Sequence, residues 1–384
     1  MWKTLGLTIS TAAVALFTAH AAQAQQPIKI GSILSVTGPA SFLGEPQKKT
    51  IEMLAQQVNA AGGIGGRKIE LVIYDDGGDA NAARTFASRL IDQDKVVAMV
   101  GGSTTGTTMA MLPAFEEAEI PFMSMAGALQ VVQPVKKWVF KTPQTDTMAC
   151  EKIFEDIKSR GFSTIAVIFG TDGFGRSMRD QCVAVAPKYS ITIAHEESFG
   201  PKDSDMTPQL TNVRGKKDVQ AIVVPGIGQT PAILARNYKQ LGMTTPLYVS
   251  HGVASKEFIE LSAGGAEGAR LPVPALLVGA NLAASDSQRA PVVAYTQAYE
   301  KATSQPVSAF GGFMHDGFQM VVDAIKRSGA ESAKIRDGLE ATKGFVGVNG
   351  VYTMTPKDHM GLDLTGFRMV EIKNGNWSPI ASKK

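Results

Sequence analysis

Gly101-Gly102-Ser103-Thr104-Thr105-Gly106 is the stretch of this 384-residue chain whose residue types are best suited to holding a small charged group. It follows a short apolar run and precedes a helical pattern. Its hydroxyls and free backbone N–H groups therefore gather at a helix N-terminus, where the peptide dipoles favour an anion. Ser and Thr are also ordinary N-caps. Three hydroxyls between glycines exceed what one cap uses, so Ser103 and Thr104 are candidate contacts to a carboxylate. The chemistry expected is recognition without reaction. Gly62-Gly63-Ile64-Gly65-Gly66 precedes a strand, the wrong order for a dinucleotide fingerprint, and Gly215-Lys216 lacks the upstream glycine of a phosphate loop. Ser103 is outside a Gly-x-Ser-x-Gly elbow. The histidines at 20, 195, 251, 315 and 359 are scattered, and the two cysteines are far from a zinc spacing. Neither an enzyme nor a metal or cofactor site is expected.

These loops need elements to hold them. Ile28 to Leu34, Ile69 to Tyr74, Val97 to Val100 and Phe122 to Ser124 read as strands. Helical patterns over 46–61, 80–92 and 106–117 separate them. The alternation restarts after Thr145. Helices over 147–159, 175–186, 206–214 and 230–241 interleave with strands at 164–169, 191–195, 221–224 and 247–249. Ala275 to Gly279 reads as a strand returning to the first half, followed by helices over 289–303, 310–327 and 331–342 and a tail with strand-like pieces. Short apolar strands alternating with helices predict parallel sheets covered on both faces. Ligands of such sheets lie beyond the carboxyl ends of the strands. The loops near 35–43, 101–106, 124–128, 170–175, 225–229 and 250–253 are therefore the ones to inspect.

Met1-Trp2-Lys3, the apolar stretch Leu5 to Ala19 and Ala22-Gln23-Ala24 have the pattern of a cleaved signal peptide over 1–24, which predicts export to the periplasm. Removing Lys3 lowers the formal charge from +3 to +2, without a basic block, so nucleic acid is excluded as a partner. The remaining length exceeds one ordinary core and predicts two lobes. In an oxidising compartment Cys150 and Cys182 are open to two readings, a disulfide or two buried thiols.

Several motifs carry a resemblance. They include Ile30-Gly31-x-Ile33-Leu34-Ser35-x-Thr37-Gly38-Pro39, Asn59-Ala60-Ala61-Gly62-Gly63-Ile64-x-Gly66-Arg67 and Tyr74-Asp75-Asp76. Gly101-Gly102-Ser103, Pro121-Phe122-Met123-Ser124, Phe174-Gly175-Arg176 and Glu267-Gly268 extend them. Together they make the chain similar to the leucine/isoleucine/valine-binding protein family, type I periplasmic receptors of branched-chain amino-acid ABC importers. The resemblance spans essentially the whole mature chain. It implies an α/β fold of two doubly wound parallel-sheet lobes joined by a three-crossing hinge. Lobe 1 would be 27–142 plus 275–363, and lobe 2 would be 143–274 plus 364–384. It also implies a monomer that delivers a small ligand to ABC permease subunits. Ser103 and the backbone around Ala126 and Gly127 would hold a ligand carboxylate, and Phe174 would close over it from lobe 2. Two departures bear on the ligand. His251 stands where amino-acid binders place an acid, and Ala128 where they tend to have Thr, so a ligand ammonium would be poorly met. Asp172 is the acid that would have to replace them. His251 can instead serve a carboxylate, keto or phenolic oxygen. Phe42, Ile227 and Phe313 add an apolar lining that suits an aromatic ring. The expected ligand is a small carboxylate, with an aromatic acid favoured over an amino acid, and the alternative to transport is a ligand sensor feeding a membrane signalling protein.

Overall fold

Ile-Lys-Ile-Gly-Ser-Ile-Leu, the first strand, is almost continuously buried, the mark of a parallel strand covered on both faces. In the computed structural model, which describes residues 26–380, it is β1 (Ile28–Leu34). The expected signal peptide lies outside the described residues. The first half continues through α1 (Ser41–Ala60), β2 (Ile69–Asp75), α2 (Ala80–Arg89), β3 (Ala98–Gly101), α3 (Thr105–Glu117), β4 (Phe122–Ser124) and β5 (Val139–Lys141). These five strands form one sheet in the order β2-β1-β3-β4-β5, parallel throughout.

The second half runs α4 (Asp146–Ser159), β6 (Thr164–Gly170), α5 (Gly173–Val185), β7 (Thr192–Phe199), α6 (Thr207–Arg214), β8 (Ala221–Val224), α7 (Thr230–Gln240), β9 (Leu247–Val249), α8 (Lys256–Leu261) and β10 (Arg270–Val273). The chain then returns to the first lobe with α9 (Arg289–Thr303), α10 (Ala309–Ser328), α11 (Ser332–Glu340) and the small hairpin β11 (Phe345–Val346) and β12 (Val351–Tyr352). It ends in β13 (Arg368–Lys373) and β14 (Asn376–Pro379), which complete a second sheet ordered β14-β13-β10-β9-β8-β6-β7. The chain thus passes between the lobes after β5, after β10 and after β12, giving the expected three crossings.

Two differences from the sequence expectation concern the second sheet. Ala275–Asn281 is a 3-10 turn rather than a strand, and the strand lies just before it, at Arg270–Val273. Pro272 and Pro274 masked that strand, because proline normally argues against a ladder. The second sheet is also mixed, since β13 pairs antiparallel with both β10 and β14.

In each sheet the strand order reverses at one point, between β1 and β3 in the first and between β6 and β8 in the second. The loops leaving the strands there diverge and open a crevice. Ser35 and Ser103 leave the first switch point, while Phe174 and Ile227 leave the second. Gly44 shows how tightly this end is packed: a Cβ there would stand 2.1 Å from the Ser35 carbonyl oxygen. Cys150 on α4 and Cys182 on α5 are bonded (S–S 2.03 Å), which settles the open pair as a disulfide inside lobe 2.

Candidate functional site

Six of the nine nominated side chains converge between the lobes. Ser103 and Gly127 meet Phe174, Ile227, His251 and Phe313 around a shared crevice. Leu43, Met125, Phe310 and Pro143 complete its apolar wall. The space enclosed is about 20 Å³. Small-molecule sites occupy about 300–1,000 Å³. The loops of the two lobes therefore stand directly against each other, with little space between them. Gly127 marks the contact. A Cβ there would fall 2.9 Å from the Phe174 ring and 3.2 Å from His251 Nε2, so only glycine allows this approach.

The other three nominated residues lie elsewhere. Thr104 is the N-cap of α3, its hydroxyl accepting from the Thr107 N–H at 3.1 Å. The Ala126 N–H donates to the Ser124 hydroxyl at 3.1 Å, within lobe 1. Phe42 packs edge-on against Phe310, with ring centroids 5.5 Å apart.

Ser103 is buried and already engaged. Its hydroxyl accepts from the Ser35 N–H at 3.0 Å and donates to Gln47 Oε1 at 2.6 Å. The Ser35 hydroxyl in turn donates to Asp76 at 2.6 Å. Burial raises the Asp76 carboxyl above its ordinary range, partly offset by the Ser35 bond. Ser103→Ala should therefore lower the stability of the ligand-free protein by about 1–3 kcal/mol, by stranding the Ser35 N–H and the Gln47 carbonyl. A chemical-denaturation midpoint that does not move would show that this network contributes nothing.

The polar atoms left without hydrogen bonds are the more informative ones. The Thr105 hydroxyl and both ring nitrogens of His251 are buried at this crevice without a partner among the described residues. Such atoms are costly to bury, and a cluster of them at a cleft points to a missing polar group. Thr105 belongs to the hydroxyl-rich loop singled out in the sequence. Because α3 begins at Thr105, the capping role falls to Thr104 and the free hydroxyl to its neighbour. A one-residue shift in the helix start separates the two roles, and a propensity reading does not resolve it.

His251 opens the turn after β9, between the rings of Phe174 and Phe367, each 5.3 Å away. Burial pushes its pKa down to about 3, and the nearby Lys141 ammonium lowers it further; the Gln144 backbone is close enough to oppose this weakly, but without proper hydrogen-bond geometry. The imidazole is neutral, with one donor and one acceptor to offer.

Lys141, at the end of β5, carries no signal in the sequence beyond its type. It is fully buried, and its ammonium donates to the Gly127 and Ala128 carbonyls at 2.7 and 3.3 Å. Burial lowers its pKa to about 7, opposed by the Asp146 carboxylate. Asp146 is itself raised by burial and accepts from Ser177 of lobe 2 and from the Leu129 N–H of lobe 1. The lobe-1 wall of the crevice is thus held from behind by the buried Lys141, with Asp146 close by at the first crossing. At the same hinge, Gln144 donates to the carbonyls of Asn349 and Gly366, both at 2.9 Å, which ties the first crossing to the third.

Two lobes joined by three crossings meet here at a crevice lined by loops from both switch points. Residues 27–376 match the periplasmic binding protein family, and the chain belongs to it. Members of this family bind solutes and are not enzymes. The leucine-, isoleucine-, valine-, threonine- and alanine-binding protein of Pseudomonas aeruginosa is 24% identical over 368 residues, covering 94% of this chain and 91% of that one. Among solved structures, an extracellular ligand-binding receptor of Rhodopseudomonas palustris HaA2 superposes with a TM-score of 0.86 at 28% identity, over 92% of this chain and 99% of that one. The substrate-binding protein LivJ of Streptococcus pneumoniae, in complex with isoleucine, gives 0.80 at 25% identity, over 92% and 99%. The motif resemblance over Ile30–Pro39 and Asn59–Arg67 thus extends along the chain.

Proposed function

We propose that this protein is the periplasmic receptor of a branched-chain-amino-acid-type ABC importer and that its cleft takes a small carboxylate, an aromatic acid in preference to an amino acid. Closure would bring 143–274 with 364–384 onto 27–142 with 275–363, and the closed form would be the one presented to the permease subunits. One observation carries the ligand class: none of the described residues lining the crevice is acidic. An α-amino acid brings an ammonium that needs an anionic or multiply accepting partner. Asp172 is the nearest alternative by sequence, but its carboxylate caps α5, accepting from the Phe174 and Gly175 N–H groups at 2.9 and 3.1 Å. The Gly127 and Ala128 carbonyls already accept from the Lys141 ammonium, whose charge disfavours a second ammonium beside it. Thr105 and His251 suit an oxygen-rich ligand end, and Phe174, Phe310 and Phe313 suit a flat apolar body.

The amino-acid reading has its own support, since the Pseudomonas relative is named for aliphatic amino acids and the Streptococcus protein holds isoleucine. A thermal-shift screen separates the two, because a ligand of the native state raises Tm. At least one aromatic carboxylate should stabilise the protein, and leucine and valine should do so less. Strong stabilisation by leucine with none by aromatic acids would reverse the ligand class and leave the family assignment standing. His251→Glu should weaken an aromatic acid, because two carboxylates would then face each other in a dry cleft.

A further inference from the structure

A second cavity lies behind the hinge; it shares no lining residue with the interlobe crevice, although its Phe367 ring packs on His251. It measures about 550 Å³, within the range of small-molecule sites, and is walled by α4, by the β13–β14 hairpin and by the segment leading from β10 back to lobe 1. Its floor is a buried polar network. Asp156 accepts from the Tyr248 hydroxyl at 2.6 Å and from Arg270 at 2.9 Å, and Arg270 reaches Glu371 at 2.9 Å. Its rim is apolar, with Leu282, Phe367, Met369 and Ile380.

Charge matching in this groove is incomplete. Four cationic and three acidic side chains line it. Lys152 pairs with Glu155 at 3.1 Å, Arg270 with Asp156 at 2.9 Å, and Arg368 with Asp286 at 3.4 Å. Arg160 is left without a carboxylate among the described residues. Its guanidinium donates to the Tyr248 hydroxyl at 3.0 Å and lies over the Phe162 ring at 5.0 Å, which fixes the planar fork at the groove edge. A fixed guanidinium with unused donors matches a carboxylate or phosphate oxygen pair. The adjoining apolar rim matches a hydrocarbon or ring.

We propose that this groove is a second small-molecule site, selective for an organic anion with an apolar body, with Arg160 as its anion contact. Phe367 and Met369 follow the third crossing and Leu282 follows the second, so an occupant touches two of the three hinge segments. Binding there is therefore coupled to lobe closure, and the coupling is reciprocal.

Methionine methyl NMR distinguishes the two sites, since Met369 lines the groove and Met125 the cleft. The full chain, labelled at methionine methyls, is titrated with octanoate, with benzoate and with inorganic phosphate. Octanoate or benzoate should move the Met369 signal saturably, and phosphate should move it less. Arg160→Gln should weaken that response by about tenfold or more, the loss of one charge-assisted contact. Its Met125 response to benzoate should persist, shifted in midpoint by no more than the coupling between the two sites. Arg160→Lys, which keeps the charge but not the fork, should fall between, and an unchanged Tm in both variants shows that the fold is intact. A Met369 signal that stays still up to millimolar probe, or one that moves equally in the wild type and Arg160→Gln, overturns the proposal. Because the readout is Met369, either result leaves the ligand class of the cleft untouched.

Discussion

Removing the disulfide, as Cys150→Ala with Cys182→Ala, should lower the stability of lobe 2 by about 3–4 kcal/mol, the chain-entropy value for a closed loop of this size. The bond joins residues 32 apart in the sequence, and both sulfurs are fully buried between α4 and α5. For a lobe of this size that cost should appear as a fall of roughly 10 °C in Tm. Wild-type protein unfolded under reducing conditions should behave like the variant. The location carries a functional consequence as well. α4 begins at Asp146, beside the first hinge crossing, and α5 begins one residue before Phe174. The bond therefore ties the helix that leaves the hinge to the helix that carries the aromatic wall of the cleft. Loss of stability should be accompanied by faster proteolysis within 146–189 and by weaker ligand binding. An unchanged Tm with unchanged proteolysis would mean that the packing of α4 on α5 is sufficient alone.

Much of this architecture is legible in the sequence because its signals are periodic. Helix 289–303 and strands 122–124 and 247–249 coincide with their sequence expectations residue for residue. Those segments have a clear apolar period and little local competition. The failures have identifiable causes. β10 is hidden by Pro272, and β5 is three residues long and ends on a buried lysine. α1 begins five residues before Pro46, because the helix runs through the proline and packs its first turn on the loop after β1.

The site was legible by loop but less so by atom. Strand ends and Gly/Ser/Thr composition locate the crevice, since both follow from topology. Which hydroxyl is free depends on the helix start and on partners 56 or 68 residues away, as with Gln47 and Ser35 at Ser103. Lys141 shows the limit most clearly. A lysine in a strand reads as a solvated edge, whereas here its ammonium is buried to hold two carbonyls of the cleft wall. Long-range hydrogen bonding decides both cases, and sequence spacing does not encode it.

The most function-revealing substitution is His251→Leu, which should leave the ligand-free protein about as stable at neutral pH and more stable than the wild type in acid, while abolishing most of its response to ligand. Both imidazole nitrogens are buried without hydrogen bonds, and removing an unsatisfied polar group returns about 1–3 kcal/mol. The lost edge contacts with Phe174 and Phe367 offset much of that, at about 0.5–1.5 kcal/mol each. The two contributions nearly cancel, so at neutral pH the stability should change by no more than about 1 kcal/mol. Ligand affinity should fall at least tenfold, because the imidazole is the neutral donor and acceptor of the lobe-2 wall. Acid provides an independent check. The folded pKa of His251 is lowered to about 3 from an ordinary value of 6.5. Between those values the unfolded chain holds a proton that the folded chain does not, so the histidine's contribution is intact above pH 6.5 and is lost as pH falls towards 3. The leucine variant lacks this dependence, so its stability relative to the wild type should rise steadily on acidification. Equal acid sensitivity in the two proteins would show that the imidazole is solvated or hydrogen-bonded in solution. A variant that keeps full ligand response would remove His251 from the site.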